Sequence, residues 1–160
     1  MTSLRKTAEE IKEALGDAWL PRIYRGRILR MRTRSHHLNL QSKRAGVEIQ
    51  HTLLGVELKV GRRRQSCPDL ATARYLAVFA RLGCADVAVP YDISRISRLA
   101  DELESAWRRM LLLVEHAGGA ASFRSRLRNH LIAEMRGKIT EAGAGRAIPQ
   151  FNQNTRQRRV

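Results

Sequence analysis

Six apolar residues recur every three or four positions between residues 94 and 116, and this period constrains the fold more than any other feature of the chain. They are Ile96, Leu99, Leu103, Trp107, Met110 and Val114. Side chains at this spacing line one face of an α-helix, and that face must be covered by a core. The sequence therefore predicts a long amphipathic helix over 94–116 inside a folded domain.

Three further segments have apolar residues at helical spacing. They are residues 3–15, 69–82 and 122–140. Asp69 and Ser122 are suited to capping the start of the last two helices, because their side-chain oxygens can accept from free backbone N–H groups. Gly16 and Gly83 are suited to ending the first two. We predict that all three helices pack against the same core.

The strand pattern is concentrated in residues 27–60. Val47–Gln50 and Val56–Val60 alternate apolar with polar residues, and residues 27–32 alternate in part. We predict a small antiparallel sheet over 27–60. The wholly apolar Val87–Val89 predicts a short buried strand at 87–91. The expected fold is α+β, with one domain over 1–141 and a flexible basic tail over 142–160.

The charge of the chain indicates an anionic partner. Lys and Arg number 30 against 15 Asp and Glu, a net charge of +15. The surplus lies in residues 1–64 and 122–160, whereas 65–121 are nearly neutral. The partner could be a nucleic acid, an acidic membrane surface or an acidic protein. Because 25 of the basic residues are arginine, whose planar fork meets phosphates and guanine edges bidentately, nucleic acid is the first choice. DNA and RNA, single and double stranded, all stay open.

The densest basic segment lies between positions 22 and 34 and contains no acidic residue. Its arginines are Arg22, Arg25, Arg27, Arg30, Arg32 and Arg34. On a strand over 27–32, Arg30 and Arg32 would share one face and present a surface for phosphates. Trp19 and Tyr24 are close in sequence and could stack on bases. The alternative is a solvated edge strand whose charges discourage aggregation.

Two other basic clusters are candidates for nucleic-acid contacts. Arg62, Arg63 and Arg64 are predicted to form a loop before the helix over 69–82, close to a helix N-terminus that favours anions. Arg124 and Arg128 share one face of the last predicted helix. An ordinary solvated loop and a solubilising helix face are the alternatives.

Residues 56–93 contain a Glu-x-Lys motif, Glu57-Leu58-Lys59, within the order strand, basic loop, helix and buried strand. This order resembles the core of PD-(D/E)xK nucleases, especially the Holliday-junction-resolvase branch. The resemblance implies a divalent-metal-dependent nuclease, with Mg²⁺ or Mn²⁺ on Glu57 and an upstream acid, and with Lys59 positioning or activating water. No Asp lies between Asp17 and Glu57, so Glu48 is the acid that would stand in. The alternative is a cross-strand ion pair on the surface.

Three function classes follow from these features. The first is a nucleic-acid-binding protein that uses arginine-rich surfaces with little sequence specificity and needs no cofactor. The second is the metal-dependent nuclease. The third is a structural or oligomeric component of a nucleoprotein particle, in which the helix over 94–116 forms a homo-oligomer interface through Leu111–Leu113. The polar N-terminus and the absence of a long apolar run predict a protein without a secretion signal or membrane span, in the cytoplasm or nucleoid.

Overall fold

The computed structural model describes residues 3–40 and 46–145. The helices are α1 (Leu4–Leu15), α2 (Leu20–Ile23), α3 (Leu70–Leu82), α4 (Ile93–His116) and α5 (Ala121–Ala142). The strands are β1 (Thr33–His37), β2 (Val47–Thr52), β3 (Gly55–Val60), β4 (Arg63–Cys67) and β5 (Asp86–Pro90). The predicted α+β class is confirmed, with the strands divided between two small antiparallel sheets.

The segment before β1 is helical, so the predicted strand over 27–32 is wrong. Pro21 lies in the first turn of α2, where its missing N–H costs nothing, and the helix continues as a π-helix over Tyr24–Ile28. Leu20, Tyr24 and Ile28 are buried. They recur every four residues, which is a helical period, and the arginines between them fall on the exposed side.

The two sheets divide the strands differently from the single predicted sheet. β1 pairs antiparallel with β5, whereas β2, β3 and β4 form consecutive hairpins. The predicted basic loop over 62–64 is wrong, because the chain turns at Gly61, which has φ of 61°, and Arg63 already begins β4. α3 packs on β2, β3 and β4.

The caps of α1 and α3 follow the sequence pattern. The Ser3 hydroxyl accepts from the Lys6 N–H at 3.1 Å, and the Asp69 carboxylate accepts from the Thr72 N–H at 2.7 Å. Gly83 ends α3 in the left-handed conformation. The predicted cap at Ser122 is wrong: α5 starts one residue earlier, and Ala120 occupies the cap position without a side-chain hydrogen bond.

α4 buries the periodic face that the sequence defines, apart from Trp107, which is half-buried. Of the three consecutive leucines near its end, Leu111 and Leu113 are half-buried and Leu112 is 60% exposed. An interface between copies of the chain through this helix stays a prediction. Within residues 3–40 and 46–145, no helix has the length and apolar character that crossing a membrane requires.

The backbone N–H and C=O of one residue at the centre of β5, Ala88, are each held by a tyrosine. The Ala88 N–H donates to the Tyr24 hydroxyl at 3.1 Å, and the Tyr75 hydroxyl donates to the Ala88 carbonyl at 2.5 Å. Hydrogen-bonded pairs alternate along an antiparallel ladder. The Leu38 N–H donates to the Ala85 carbonyl and the Tyr91 N–H to the Arg32 carbonyl, which makes Ser35 and Ala88 a non-hydrogen-bonded pair. The backbone N–H and C=O of Ala88 therefore point away from β1, to the open edge of β5. The tyrosines therefore satisfy an edge to which no further strand of residues 3–40 or 46–145 is paired.

The start of the predicted tail over 142–160 contacts this centre. The Tyr24 hydroxyl donates to the Gly143 carbonyl. Gly145 has φ of +80° and lies so close to Thr33 that a Cβ would overlap the threonine hydroxyl. Residues 146–160 of the predicted tail lie outside the described residues.

Replacing Tyr24 with Phe removes a hydroxyl that serves both the Ala88 N–H and the Gly143 carbonyl. Leaving buried backbone groups without partners should lower the free energy of unfolding by about 1–3 kcal/mol. Urea denaturation measures the loss. Tyr91→Phe is the control, because Tyr91 is 46% exposed and should change stability by less than about 0.5 kcal/mol. Equal effects of the two substitutions would contradict the assignment.

Stability should also fall at alkaline pH, because the hydroxyls of the two buried tyrosines stay protonated in the folded chain. Burial raises the pKa of Tyr24 from its ordinary value of 10.0 to about 12 and raises the pKa of Tyr75 well above 10.0. The unfolded chain releases these protons first, so the stabilisation from both tyrosines is complete below pH 10 and falls above it. The part that comes from Tyr24 is lost as pH rises towards 12. Denaturation curves over this range should show a shallower fall for Tyr24→Phe. An unchanged slope would exclude Tyr24 as a source.

Candidate nucleic-acid interface

The structure distributes the arginines of the 22–34 segment over several surfaces instead of one strand face. Arg22, Arg25 and Arg27 are exposed on the helical segment, and Arg34 is half-buried on β1. Arg34 shares a face with His36, which contacts Gln65 of β4. The predicted shared face of Arg30, Arg32 and Arg34 is therefore wrong, because the first two precede the strand.

Arg30 and Arg32 meet two arginines of α4. An open cleft of about 540 Å³ is lined by Arg30, Met31, Arg32, Tyr91, Asp92 and Arg95. A neighbouring cleft of about 350 Å³ is lined by Arg27, Met31, Ser94, Arg95, Arg98 and Leu99. The two clefts adjoin because they share Met31 and Arg95. We call the combined surface the arginine cleft.

The β1–β5 pairing positions the two sides of this cleft. Thr33 lies opposite Pro90, and the Tyr91 N–H donates to the Arg32 carbonyl at 3.0 Å. α4 begins two residues later and buries Ile96 and Leu99. Residues 95 and 98 therefore fall on the opposite, exposed side of the first turns, where they face the segment that contains Arg30.

Among the described residues, five arginines and one acid line the arginine cleft, so positive charge is in excess there. Asp92 is its acid, and the hydrogen bond from the Ser94 hydroxyl is the main reason that the Asp92 pKa is lowered. The Arg95 side chain also donates to Asp92, at 3.3 Å. Arg27 pairs with Glu102 at 2.5 Å. Arg30 and Arg98 are exposed and make no ion pair with any residue that the structure describes.

The aromatic residue on this surface is not one that the sequence singles out. Trp19 and Tyr24, the predicted stacking residues, are 2% and 0% exposed and belong to the core. Tyr91 lines the arginine cleft instead. Sequence reasoning misses Tyr91, Arg95 and Arg98 because they lie in the segment whose total charge is near zero. The available signal is a tyrosine at the junction of a buried strand and a helix, followed closely by two arginines.

Arg22 and Arg25 belong to a different surface. They line a cleft with Trp19, Lys12 and Lys138. Lys12 pairs with Glu134 at 3.0 Å and lies 5.3 Å from the centre of the Trp19 ring. The Arg22 side chain donates to the Gly16 carbonyl at 3.0 Å. Part of the positive charge of this surface is therefore already engaged in contacts within the molecule, among them the ion pair that joins α1 to α5.

A larger cleft of about 940 Å³ lies between the helical segment and α4 and has mixed charge. Its charged residues are Asp17, Arg22, Arg27, Asp101, Glu102 and Arg109. Three acids face three arginines, so the net attraction for phosphate is small. This cleft therefore separates the two basic surfaces and does not extend them.

The predicted basic triplet does not act as one cluster. Arg63 and Arg64 are neighbours on β4, so their side chains leave opposite faces of the strand. Arg64 lies opposite Lys59. The N-terminus of α3 is capped by Asp69, whose carboxylate accepts from the Thr72 N–H and already supplies a negative charge there.

The two arginines predicted on the last helix share one face of α5, and their contact with nucleic acid stays a prediction. Arg124 and Arg128 are one turn apart on α5 and both are half-buried. Arg124 donates to the Gly119 carbonyl at 2.5 Å and lies 3.5 Å from Glu115, which ties it to the end of α4. Neither residue lines the arginine cleft.

The Glu-x-Lys motif lies on the outward face of the β2–β3–β4 sheet. Glu48 is opposite Lys59, and Gln50 is opposite Glu57, so both glutamates and the lysine share this face. The two carboxylates are diagonal neighbours, and one oxygen of Glu57 is buried without a hydrogen-bond partner. No ion pair joins Lys59 to Glu48 or Glu57. Within the described part of the chain, no three His, Cys, Asp or Glu residues form a group able to hold a metal ion.

Comparisons with known protein families, with curated proteins and with solved structures find no match to this chain.

Proposed function

We propose that this protein binds nucleic acid, with the arginine cleft as the principal contact surface and with little reading of sequence. The observation that supports the proposal most is the convergence of Arg30 and Arg32 with Arg95 and Arg98, from segments far apart in the chain. Like charges repel, so a fold that gathers arginines on one open surface is stabilised when an anion binds there.

Arginine chemistry favours phosphates as that anion. A guanidinium can donate two parallel hydrogen bonds to one phosphate, and each neutralised phosphate releases counterions into solution. The net charge of +15 adds a long-range attraction. These contacts carry position and affinity but little sequence information. A cytoplasmic or nucleoid location accords with such a partner.

The double substitution Arg30→Gln/Arg98→Gln should weaken binding to any nucleic acid. The slope of log affinity against log salt should become shallower by roughly 0.7–0.9 for each phosphate contact that is lost. Fluorescence anisotropy with a labelled oligonucleotide at several salt concentrations measures both quantities.

The matched control is Arg108→Gln/Arg126→Gln. Both arginines are exposed, lie outside the arginine cleft and have no ion-pair partner among the described residues. Each double variant removes two positive charges, so the two differ only in where the charge is lost. Equal losses in the two variants would show that charge alone matters. A wild-type protein that binds no DNA or RNA at low salt would overturn the proposal.

A metal-dependent nuclease is the second candidate, and the register of β2 and β3 supports it. Glu48, Glu57 and Lys59 project from one sheet face, and Arg64 lies opposite Lys59 on the next strand. Two carboxylates with water can hold Mg²⁺, and a neighbouring lysine can position the attacking water.

Under this second candidate, Mg²⁺ or Mn²⁺ should support cutting of linear or branched duplexes. Glu57→Gln should abolish cutting and leave binding unchanged or stronger, because it removes a negative charge without removing an arginine. Gel assays of cleavage and binding on the same substrate separate the two effects. If wild type and Glu57→Gln degrade the substrate equally, the activity does not come from this site.

A further inference from the structure

Two large apolar side chains are exposed beside the arginine cleft. Tyr91 is 46% exposed and Ile93 is 68% exposed, on either side of Asp92, the N-cap of α4. Binding phosphates requires neither side chain. An exposed aromatic ring surrounded by arginines therefore indicates a ligand that has an apolar face as well as negative charge.

The backbone of Tyr91 is fixed from both sides. Its N–H donates to the Arg32 carbonyl at 3.0 Å, which extends the β1–β5 ladder by one bond. Immediately after it, Asp92 accepts from the Ser94 N–H at 3.1 Å and begins α4. With the backbone fixed, stacking costs only the rotamer freedom of the side chain and no ordering of the chain around it.

The ring and the charges fit unpaired nucleotides. A nucleobase offers a flat π-face, and its phosphate is within reach of arginines that line the same cleft as the ring. In a duplex the base faces are covered by their neighbours, so an aromatic side chain on an open surface gains nothing from them. A ring on the arginine cleft therefore adds affinity only where bases are unstacked.

We propose that the arginine cleft recognises single-stranded segments of nucleic acid, with one base stacked on Tyr91 and with Arg30, Arg95 and Arg98 on the adjacent phosphates. This inference rests on the proposed function and specifies its substrate class. The stacked base adds affinity without adding charge, so its contribution is independent of salt.

The test compares a single strand and a duplex of equal length by fluorescence anisotropy. Wild type should prefer the single strand. Tyr91→Ala should lower single-strand affinity by roughly 5- to 150-fold, as expected for the loss of one base–aromatic stack. Duplex affinity and the salt slope should not change. Tyr91→Phe should behave as wild type, whereas Tyr91→Leu, which keeps apolar surface but has no ring, should behave as Tyr91→Ala.

A second measurement reports the stack directly. In Tyr91→Trp, the added indole fluorescence should be quenched by a single strand and not by a duplex, relative to wild type with Trp19 and Trp107 as background.

The outcomes separate this inference from the function on which it rests. If wild type binds no nucleic acid, the proposed function fails. If it binds both forms equally and Tyr91→Ala changes neither, the function stands and the stacking site is wrong. If Tyr91→Leu keeps full affinity, or if anionic lipid vesicles are bound more tightly than any oligonucleotide, Tyr91 supplies apolar contact to another partner and not a stack.

Discussion

The fold depends on how the open edge of β5 is satisfied. Ala88 turns its N–H and C=O away from β1, and the hydroxyls of Tyr24 and Tyr75 take the place of a third strand. Unpaired backbone groups in this setting would cost about 1–3 kcal/mol each. Because Tyr24 lies in the π-helix and Tyr75 in α3, one residue of β5 joins the N-terminal helical segment, α3 and the sheet. The edge-to-face contact of Tyr24 with Phe79, at 5.6 Å between ring centres, closes the same cluster.

This buried arrangement determines what the surface presents. With β5 fixed, β1 can pair only on its other edge, and that pairing brings Arg32 against Tyr91. The helix that follows Tyr91 then places Arg95 and Arg98 along the same rim. Hydrogen bonds between neutral groups in the core therefore set the positions of the arginines, and repulsion between the arginines does not determine where they lie.

The sequence predicts elements whose signals are local and fails where they are not. The helices α1, α3 and α4 and the strands β2 and β3 each carry their period within a short stretch. The segment over 27–32 is misread because Arg27, Arg30 and Arg32 alternate in part with apolar residues and so imitate the pattern of a strand. The arginine cleft cannot be predicted from the sequence, for a different reason. It depends on a pairing between Thr33 and Pro90, and no local pattern encodes such a distant contact.

Charge totals mislead in a similar way. Residues 65–121 are nearly neutral in sum, yet the fold directs Asp101 and Glu104 to Arg74, at 2.5 and 2.6 Å. Arg98 has no ion-pair partner in the part of the chain that the structure describes. Segregation of charge is thus a property of the folded surface and not of the chain. The same acids that cancel charge in the sequence serve the contact between α3 and α4 in three dimensions.

The docking of Gly145 against Thr33 ties the segment after α5 to the strand that borders the arginine cleft. Gly145 has φ of +80°, and an added Cβ would overlap the Thr33 hydroxyl oxygen. Thr33 directly follows Arg32, which lines the cleft. A larger residue at position 145 would therefore strain its own backbone and displace the start of β1, so this glycine is a steric constraint on the shape of the cleft.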